Sequence, residues 1–354
     1  MKRYLPLLFL LACAFACGKE IASGPAQEPE YAGSVAATGT LSISLGGPFS
    51  ATRVASPADS IETRCRRWAF WVFDQNGESV VYGTGQAGES IRKTLLVGSY
   101  TLVAVANYPQ SLVPSGIERL ADISQRVSQL QDNAAGSMLM YGADTLNLQK
   151  DRTAARAIDV RRLVSKVGVK KVSVAFETPY LAAKTTVLEA IYLTNLYRTS
   201  RLGQDYPAGD LNPDTGAWYN VMGWRNAQQA VSGIDRLVGD FAIGATLTPE
   251  TPYTTPHYFY AYPNPTPPEA DSHNAEWCIR SSRLVLQVAV GDKTYYYQVQ
   301  IPAMGRNRVY VADEIILRKL GSLDPEQDIP GALDVVYSAV GASWDQDIAV
   351  AENS

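Results

Sequence analysis

The feature that most constrains the fold is a two-residue alternation of apolar and polar side chains that recurs between turn-forming residues. In 38–45 (TGTLSISL), Leu41, Ile43 and Leu45 alternate with serine and threonine, which is typical of a β-strand with one buried face. The chain also carries 27 Gly, 20 Pro and 20 Tyr, a composition that favours strands and turns. We therefore predict an all-β protein, built from two tandem β-sandwich domains with minor helix.

The remaining periodic segments extend this prediction. WAFWVF is apolar on both faces and predicts a central strand, and the DQNG that follows predicts a hairpin turn. Apolar residues at spacings of three and four predict a single amphipathic helix over 117–130. Residues 203–275 are rich in Gly, Pro and Asn, so we expect long surface loops there. Further strands are expected at 68–73, 79–82, 98–107, 158–176, 188–197, 282–290, 293–301 and 309–320.

The first twenty residues carry an export signal. Lys2 and Arg3 precede a short apolar run, and a small residue stands before Cys17, which resembles a bacterial lipoprotein signal. In such signals the cysteine is acylated and becomes the new N-terminus. Cys13 is an alternative acylation site, but cleavage there would leave an apolar stub. The other interpretations are an ordinary signal peptide with an incidental cysteine and a membrane anchor helix. The signal predicts an exported, membrane-tethered lipoprotein.

Composition argues against several functional classes. A formal net charge of −4 gives no basic surface for nucleic acid, so no nucleic-acid partner is expected. His257 and His273 are the only histidines, and the chain has no phosphate-binding loop or metalloprotease motif. We expect neither an enzyme nor a cofactor nor a metal site. Cys65 and Cys278 are interpreted as two buried thiols, with a disulfide as the alternative.

Arg53 is the candidate processing site. It lies in a small-residue segment, SATRVA, directly after the first predicted strand. Extended surface loops of this kind are where proteases cut, because the backbone fits a protease cleft. The alternative is a solvated surface arginine. Arg64, Arg66 and Arg67 are rival cleavage sites, but they adjoin the apolar strand and are expected to be less accessible.

The ordered series of these segments resembles the fimbrillins, the subunits of type V pili of Gram-negative anaerobes. The resemblance is carried by the lipoprotein signal, TLSISL, ATRV and WAFWVFDQNG, and later by YFYAYPNP, YYYQVQIPAMGRNRVYVADEIIL and DPEQDI. It implies transthyretin-like β-sandwich domains and an exported lipoprotein precursor. An Arg-specific surface protease would cut after Arg53, the first strand would leave, and a neighbour's C-terminal strand would fill the groove. The partners so implied are further copies of this chain, other fimbrial subunits, that protease, and the outer membrane through the lipid.

The resemblance and the apolar tail together define the predicted organisation. Residues 1–17 form the signal peptide, 18–53 the tether and removable strand, 54–162 and 163–330 the two sandwiches, and 331–354 the donor tail. A fimbrial anchor would keep its lipid and escape the cut, and a tip subunit would lack a usable donor strand. A surface glycan-binding lipoprotein would need the aromatic cluster near Tyr258 as an exposed platform. The apolar residues predicted to form the donor strand are Leu333, Val335, Tyr337, Val340, Ile348 and Val350.

Overall fold

The structure is a computed structural model that describes most of the chain as strands and the turns between them. It describes residues 36–46, 61–62, 64–109, 112, 117–204, 218–219, 238–268, 281–325 and 327–344. Residues from Ala37 onward belong to one compact unit. The predicted all-β class with little helix is confirmed. No helix in these described ranges is long and apolar enough to cross a membrane.

The strands of the first half form two sheets. A three-stranded sheet and a five-stranded sheet together hold all of them except a short strand at 127–129. A five-residue helix, α1, covers Leu120–Ser124. The strands are β1 (Thr38–Gly46), β2 (Trp68–Phe73), β3 (Ser79–Gly85), β4 (Ile91–Leu96), β5 (Gly98–Ala106), β6 (Val127–Gln129), β7 (Met140–Leu148), β8 (Thr153–Asp159) and β9 (Arg161–Arg162). The sheet orders are β4-β1-β8 and β3-β2-β5-β7-β9.

The second half contributes two further five-stranded sheets. Its strands are β10 (Ser165–Val169), β11 (Val172–Val174), β12 (Thr186–Thr194), β13 (Leu196–Tyr197), β14 (Thr199–Arg201), β15 (Trp218–Tyr219), β16 (Gly239–Asp240), β17 (Ala245–Leu247), β18 (His257–Ala261), β19 (Arg283–Val290), β20 (Lys293–Gln300), β21 (Arg308–Leu317) and β22 (Leu333–Ser343). A short helix, α2, covers Pro179–Ala182. One sheet has the order β11-β21-β10-β18 with β22 also on β21, and the other has the order β16-β12-β19-β20 with β17 on β12.

The larger sheets divide along the sequence. Each sheet of three or more strands takes its strands either from before Leu163 or from after it, and only the short β6–β14 pair crosses this point. Two sandwiches in tandem account for this partition. The residue limits assigned to the two domains stay a prediction.

The apolar strand at 68–73 lies at the centre of its sheet, as predicted. All six residues of β2 are buried, with β3 on one side and β5 on the other. The hairpin after it is fixed by Asp74, whose Oδ1 accepts hydrogen bonds from the backbone N–H groups of Asn76 (2.8 Å) and Glu78 (3.0 Å). Gly77 adopts the left-handed conformation with φ of +77°, which glycine tolerates best.

The predicted helix over 117–130 is mostly wrong. Only Leu120–Ser124 is helical, and the chain then enters β6 and a 3-10 turn at Leu130–Asp132. The cause is tertiary pairing, because β6 is held antiparallel to β14 and its central Ser128 is buried against it. Ladder hydrogen bonds to a distant strand therefore override the local helical spacing.

Two other expectations need correction. The long strand over 158–176 is divided among the end of β8 and β9, β10 and β11, because Leu163 and Val164 are both buried and break the alternation where the chain passes between sheets. The loops expected over 203–275 contain β18, which pairs antiparallel with β10 and buries Phe259 and Tyr260. The many prolines around β18 made this segment resemble a loop in the sequence.

Candidate strand-exchange site

β1 occupies the middle of its sheet. It pairs antiparallel with β4, from Thr38 opposite Leu96 to Ile43 opposite Ile91. On its other side it pairs parallel with β8, from Thr40 opposite Thr153 to Gly46 opposite Asp159. Without β1, strands β4 and β8 would each expose an unpaired backbone edge, which sheet proteins avoid.

The side chains of β1 alternate as the sequence predicts. Leu41 and Ile43 are fully buried and Leu45 is nearly so, whereas Ser42 and Ser44 lie at the partly exposed face. Backbone contacts hold the start of the strand, because the N–H of Thr40 donates to the Arg152 carbonyl oxygen at 2.8 Å. The burial of the predicted apolar face is thereby confirmed, and removal of β1 would leave a groove lined by core side chains.

The predicted processing residues fall in different places. Arg53, Cys13 and Cys17 lie outside the described residues. Arg64, Arg66 and Arg67 are exposed, and because Arg53 is not described, their lower accessibility relative to it stays a prediction.

The backbone around these three arginines is nevertheless held. The N–H of Arg66 donates to Oδ1 of Asn107 (2.8 Å), and Nδ2 of Asn107 donates to the Arg64 carbonyl oxygen (2.8 Å). A protease cleft must bind extended, unpaired backbone. These hydrogen bonds therefore disfavour cleavage next to Arg64 or Arg66.

The predicted donor segment is already a strand in its own chain. β22 pairs antiparallel with β21, from Leu333 opposite Leu317 to Ser343 opposite Arg308, with three irregularities in the register. Because β10 pairs with the same residues of β21, β22 must lie on the opposite edge of that strand. No other strand in the described ranges pairs with β22. Ile348 and Val350 lie outside these ranges.

β22 is an apolar strand with little burial. Val336, Tyr337 and Val340 are 50%, 42% and 48% exposed, respectively. Leu333 and Val335 are half-buried and contact the core from its margin. An apolar edge strand with an open backbone edge is a site at which another chain can add a strand.

A buried polar cluster joins Glu62, between β1 and β2, to Trp344 after β22, and it was not identified from the sequence. Glu62 is 6% exposed, and its carboxylate accepts hydrogen bonds from Lys166 Nζ (2.9 Å), the Tyr260 hydroxyl (2.6 Å) and Trp344 Nε1 (3.2 Å). Burial, aided by the negative charge of Glu62, raises the pKa of Tyr260, so this hydroxyl stays protonated and donates. Arg162 lies over the Trp344 ring at 4.4 Å.

No sequence signal singles out Glu62, because its partners come from β10, β18 and the residue after β22. A charged residue in a small-residue, polar stretch is usually solvated, and that expectation fails for Glu62. Arg162 is also almost completely buried, with Nη1 donating to Oδ1 of Asn307 at 3.0 Å. Only the folded chain brings these groups together.

Other candidate sites offer little chemistry. Within the described ranges, no group of three or more His, Cys, Asp or Glu residues could hold a metal ion. Cys65 is a free thiol, and Cys278 lies outside the description. In the aromatic cluster, Phe259, Tyr260 and Tyr262 are buried in the core, and only Tyr258 is exposed. This arrangement favours packing over a sugar-stacking platform.

Comparison with known proteins relates the chain to fimbrial proteins. Residues 40–180 match the family Mfa2, described as fimbrillin-A associated anchor proteins Mfa1 and Mfa2. No curated protein matches the chain in sequence.

Solved structures share the fold over most of the chain. A candidate cell adhesion protein from Parabacteroides distasonis aligns with a TM-score of 0.61 at 12% identity, covering 88% of this chain and 99% of that one. Another from Bacteroides eggerthii gives 0.59 at 14% identity, covering 86% and 96%. A fimbrilin from Porphyromonas gingivalis gives 0.54 at 15% identity, covering 87% and 99%. At these identities the likeness establishes a common fold.

Proposed function

The chain belongs to the fimbrillin family, and on that premise we propose that it is a polymerising subunit of a cell-surface fimbria. It is a fimbrial component by family. In the proposed mechanism it is exported as a lipoprotein acylated at Cys17, and an Arg-specific surface protease cuts it after Arg53. β1 then leaves, and the C-terminal strand of a neighbouring subunit takes its place. The chain acts as a structural protein in adhesion, and no enzymatic step is proposed for it.

The central position of β1 is the observation that carries this proposal. A strand that pairs on both sides cannot leave without exposing two backbone edges and the sites of Leu41, Ile43 and Leu45. Both losses are unfavourable in water, so the emptied groove favours a replacement strand of similar length and pattern. The cut after Arg53 would separate β1 from the rest of the chain, which leaves only non-covalent contacts to hold it.

β22 fits the role of the replacement strand. It has 11 residues against nine in β1. Leu333, Val335 and Tyr337 repeat the two-residue spacing of Leu41, Ile43 and Leu45, so three apolar side chains could enter the same sites. Val340 falls on the opposite face of an ideal strand, and its side chain would enter the groove only across a bulge.

The proposed contact generates a fibre. The groove left by β1 and the donor β22 are different surfaces of one molecule, so each subunit donates to one neighbour and accepts from another. Such a head-to-tail interface is heterologous, and it forms an open filament unless the rotation happens to close. A fimbrial shaft requires this kind of propagation.

Substitution of Arg53 tests the proposal. Arg53→Ala should yield an uncut precursor, still acylated at Cys17, without the high-mass multimers that we expect wild-type protein to form in surface fractions. Arg64→Ala is the matched control and should be processed to a new N-terminus at Val54, because the backbone of Arg64 is held by Asn107. Multimers of normal length from Arg53→Ala would refute cleavage-triggered exchange.

A fimbrial anchor is the second candidate, favoured by the description of the matching family, which names anchor proteins. An anchor keeps its lipid and is not cut at Arg53. N-terminal analysis of surface protein separates the two functions, since a start at Val54 supports the polymerising subunit and an acylated Cys17 supports the anchor.

A further inference from the structure

Beyond its pairing with β21, the end of the C-terminal strand is held by one buried residue. Among residues 333–344, Trp344 is the only one that is buried, at 4% exposure, while Val336, Tyr337 and Val340 stay about half exposed. The Trp344 ring stacks on Tyr260 with ring centroids 5.8 Å apart and planes 5° apart. Its backbone N–H donates to the Asn307 carbonyl oxygen at 3.0 Å. The hold on this end of β22 is therefore concentrated in one side chain.

That side chain is bound to the segment that follows the predicted processing loop. Nε1 of Trp344 donates to Oε2 of Glu62, the same oxygen that receives Lys166 Nζ. Glu62 comes after Arg53 and 54–61 in the sequence, and it would stay with the chain after a cut there. The carboxylate thus links the N-terminal side of the mature chain to the end of the donor strand.

The chemistry of the contact makes it strong and conditional. A hydrogen bond to a buried carboxylate is stronger than one between neutral groups, because the acceptor is charged and a low local dielectric screens the attraction less. The same burial makes the Glu62 position costly to disturb, since Lys166 would lose its counter-charge and Arg162 Nε would lose its hydrogen bond to the Glu62 carbonyl oxygen. The hydrogen bond of the Trp344 indole therefore persists only while the segment around Glu62 keeps its place.

We propose that the Glu62–Trp344 contact, with Tyr260 stacked on Trp344, is a latch that holds β22 on its own β21 until the chain is processed. Before the cut, the segment that contains Glu62 is joined to β1 on one side and to β2 on the other. After the cut, Glu62 stays covalently joined only to β2. The loss of one tether lowers the effective concentration of Glu62 at the Trp344 ring, and β22 becomes free to leave.

This regulation rests on the proposed strand exchange, but hydrogen exchange of the monomer can test it without a fibre. The uncut wild-type chain is compared with two variants. Trp344→Phe keeps an aromatic ring and removes the N–H donor, and Glu62→Gln keeps the side-chain shape and removes the charge. We expect amides of β22 to exchange about tenfold faster in both variants, while amides of β19 and β20 keep their wild-type rates.

Trp68→Phe is the matched control. Its Nε1 donates to the Gln86 carbonyl oxygen at 2.9 Å within the first half, so it also loses one buried tryptophan donor. We expect it to leave the exchange of β22 unchanged. If Trp344→Phe does not fold, Glu62→Gln keeps the test decisive.

The effect of processing is measured on a chain in which residues 50–55 are replaced by a site-specific protease recognition sequence. Cutting should raise the exchange rate of β22 at least tenfold. Equal β22 rates before and after the cut, or wild-type rates in both latch variants, would overturn the latch.

The failure of the latch and the failure of strand exchange give different results. If β22 is released by the cut but no multimers form, the latch stands and strand exchange fails. If multimers form while the β22 amides exchange at wild-type rates in the latch variants, strand exchange stands and the latch fails.

Discussion

Ile43→Ala should destabilise the precursor and leave the fibre unaffected. Ile43 is fully buried in β1, and the substitution removes three carbon atoms from the core. At about 0.8 kcal/mol for each buried methylene, the transfer loss is about 2.4 kcal/mol. The cavity left behind adds to this, so the free energy of unfolding should fall by about 3–4 kcal/mol. Urea unfolding of the uncut precursor measures this loss.

The fibre gives the opposite expectation, because β1 is absent from it in the proposed mechanism. Fibres made from Ile43→Ala should dissociate in denaturant at the wild-type concentration, and they should assemble faster because β1 leaves more readily. Ile191→Ala is the matched control, since Ile191 in β12 is also fully buried but belongs to the second half. That variant should weaken precursor and fibre alike. If Ile43→Ala weakens the fibre as much as Ile191→Ala does, β1 stays in the fibre and the reasoning fails.

Two further expectations concern titrating groups. Backbone donors from Glu78 and Asn76 lower the pKa of Asp74 below its usual 3.8, so the stability that its carboxylate adds is complete above about pH 3.9 and is lost as the pH falls through the folded value. In Asp74→Asn, the free energy of unfolding measured with urea should not show that loss between pH 2 and 6. An Asp74 whose pKa by NMR has its usual value would contradict this. Burial raises the pKa of Cys65 from 9.0 to about 11. At pH 8 its thiolate should be on the order of 100-fold scarcer than in unfolded chain, and iodoacetamide should alkylate the Cys65 peptide correspondingly more slowly in folded protein than in urea; equal rates would contradict the burial.

Local patterns predict the strands whose burial alternates or is complete. β1, β2 and β5 lie where two-residue periodicity and continuous apolar runs place them, with ends within one or two residues. The hairpin between β19 and β20 follows from Gly291 and Asp292, and Gly291 has the positive φ that such a turn needs. In these elements the local sequence and the tertiary environment favour the same conformation.

The failures occur where distant partners decide the conformation. The sequence of β6 predicts part of a helix, but pairing with β14 makes it a strand. The prolines around β18 predict loops, but pairing with β10 makes it a strand. Glu62 shows the same limit for the candidate site, because its three donors come from residues 166, 260 and 344. A single sequence carries no signal for contacts whose partners lie this far apart along the chain.

β22 already forms a strand in its own chain, and this changes the free energy expected for strand exchange. A disordered tail would lose about 1–2 kcal/mol of backbone entropy for each residue that it orders in a groove. β22 is already a strand, so the precursor has already lost that backbone entropy, and the exchange replaces one set of neighbours by another.

In its own chain β22 has one paired edge and three half-exposed apolar side chains. In the groove left by β1 it would have two paired edges, and each added ladder hydrogen bond contributes about 0.5–1.5 kcal/mol net. The exposed edge of β21 opposes this gain, but it is a single edge, whereas the empty groove exposes two. The balance therefore favours the fibre once β1 has gone, and before that the groove is closed to any donor.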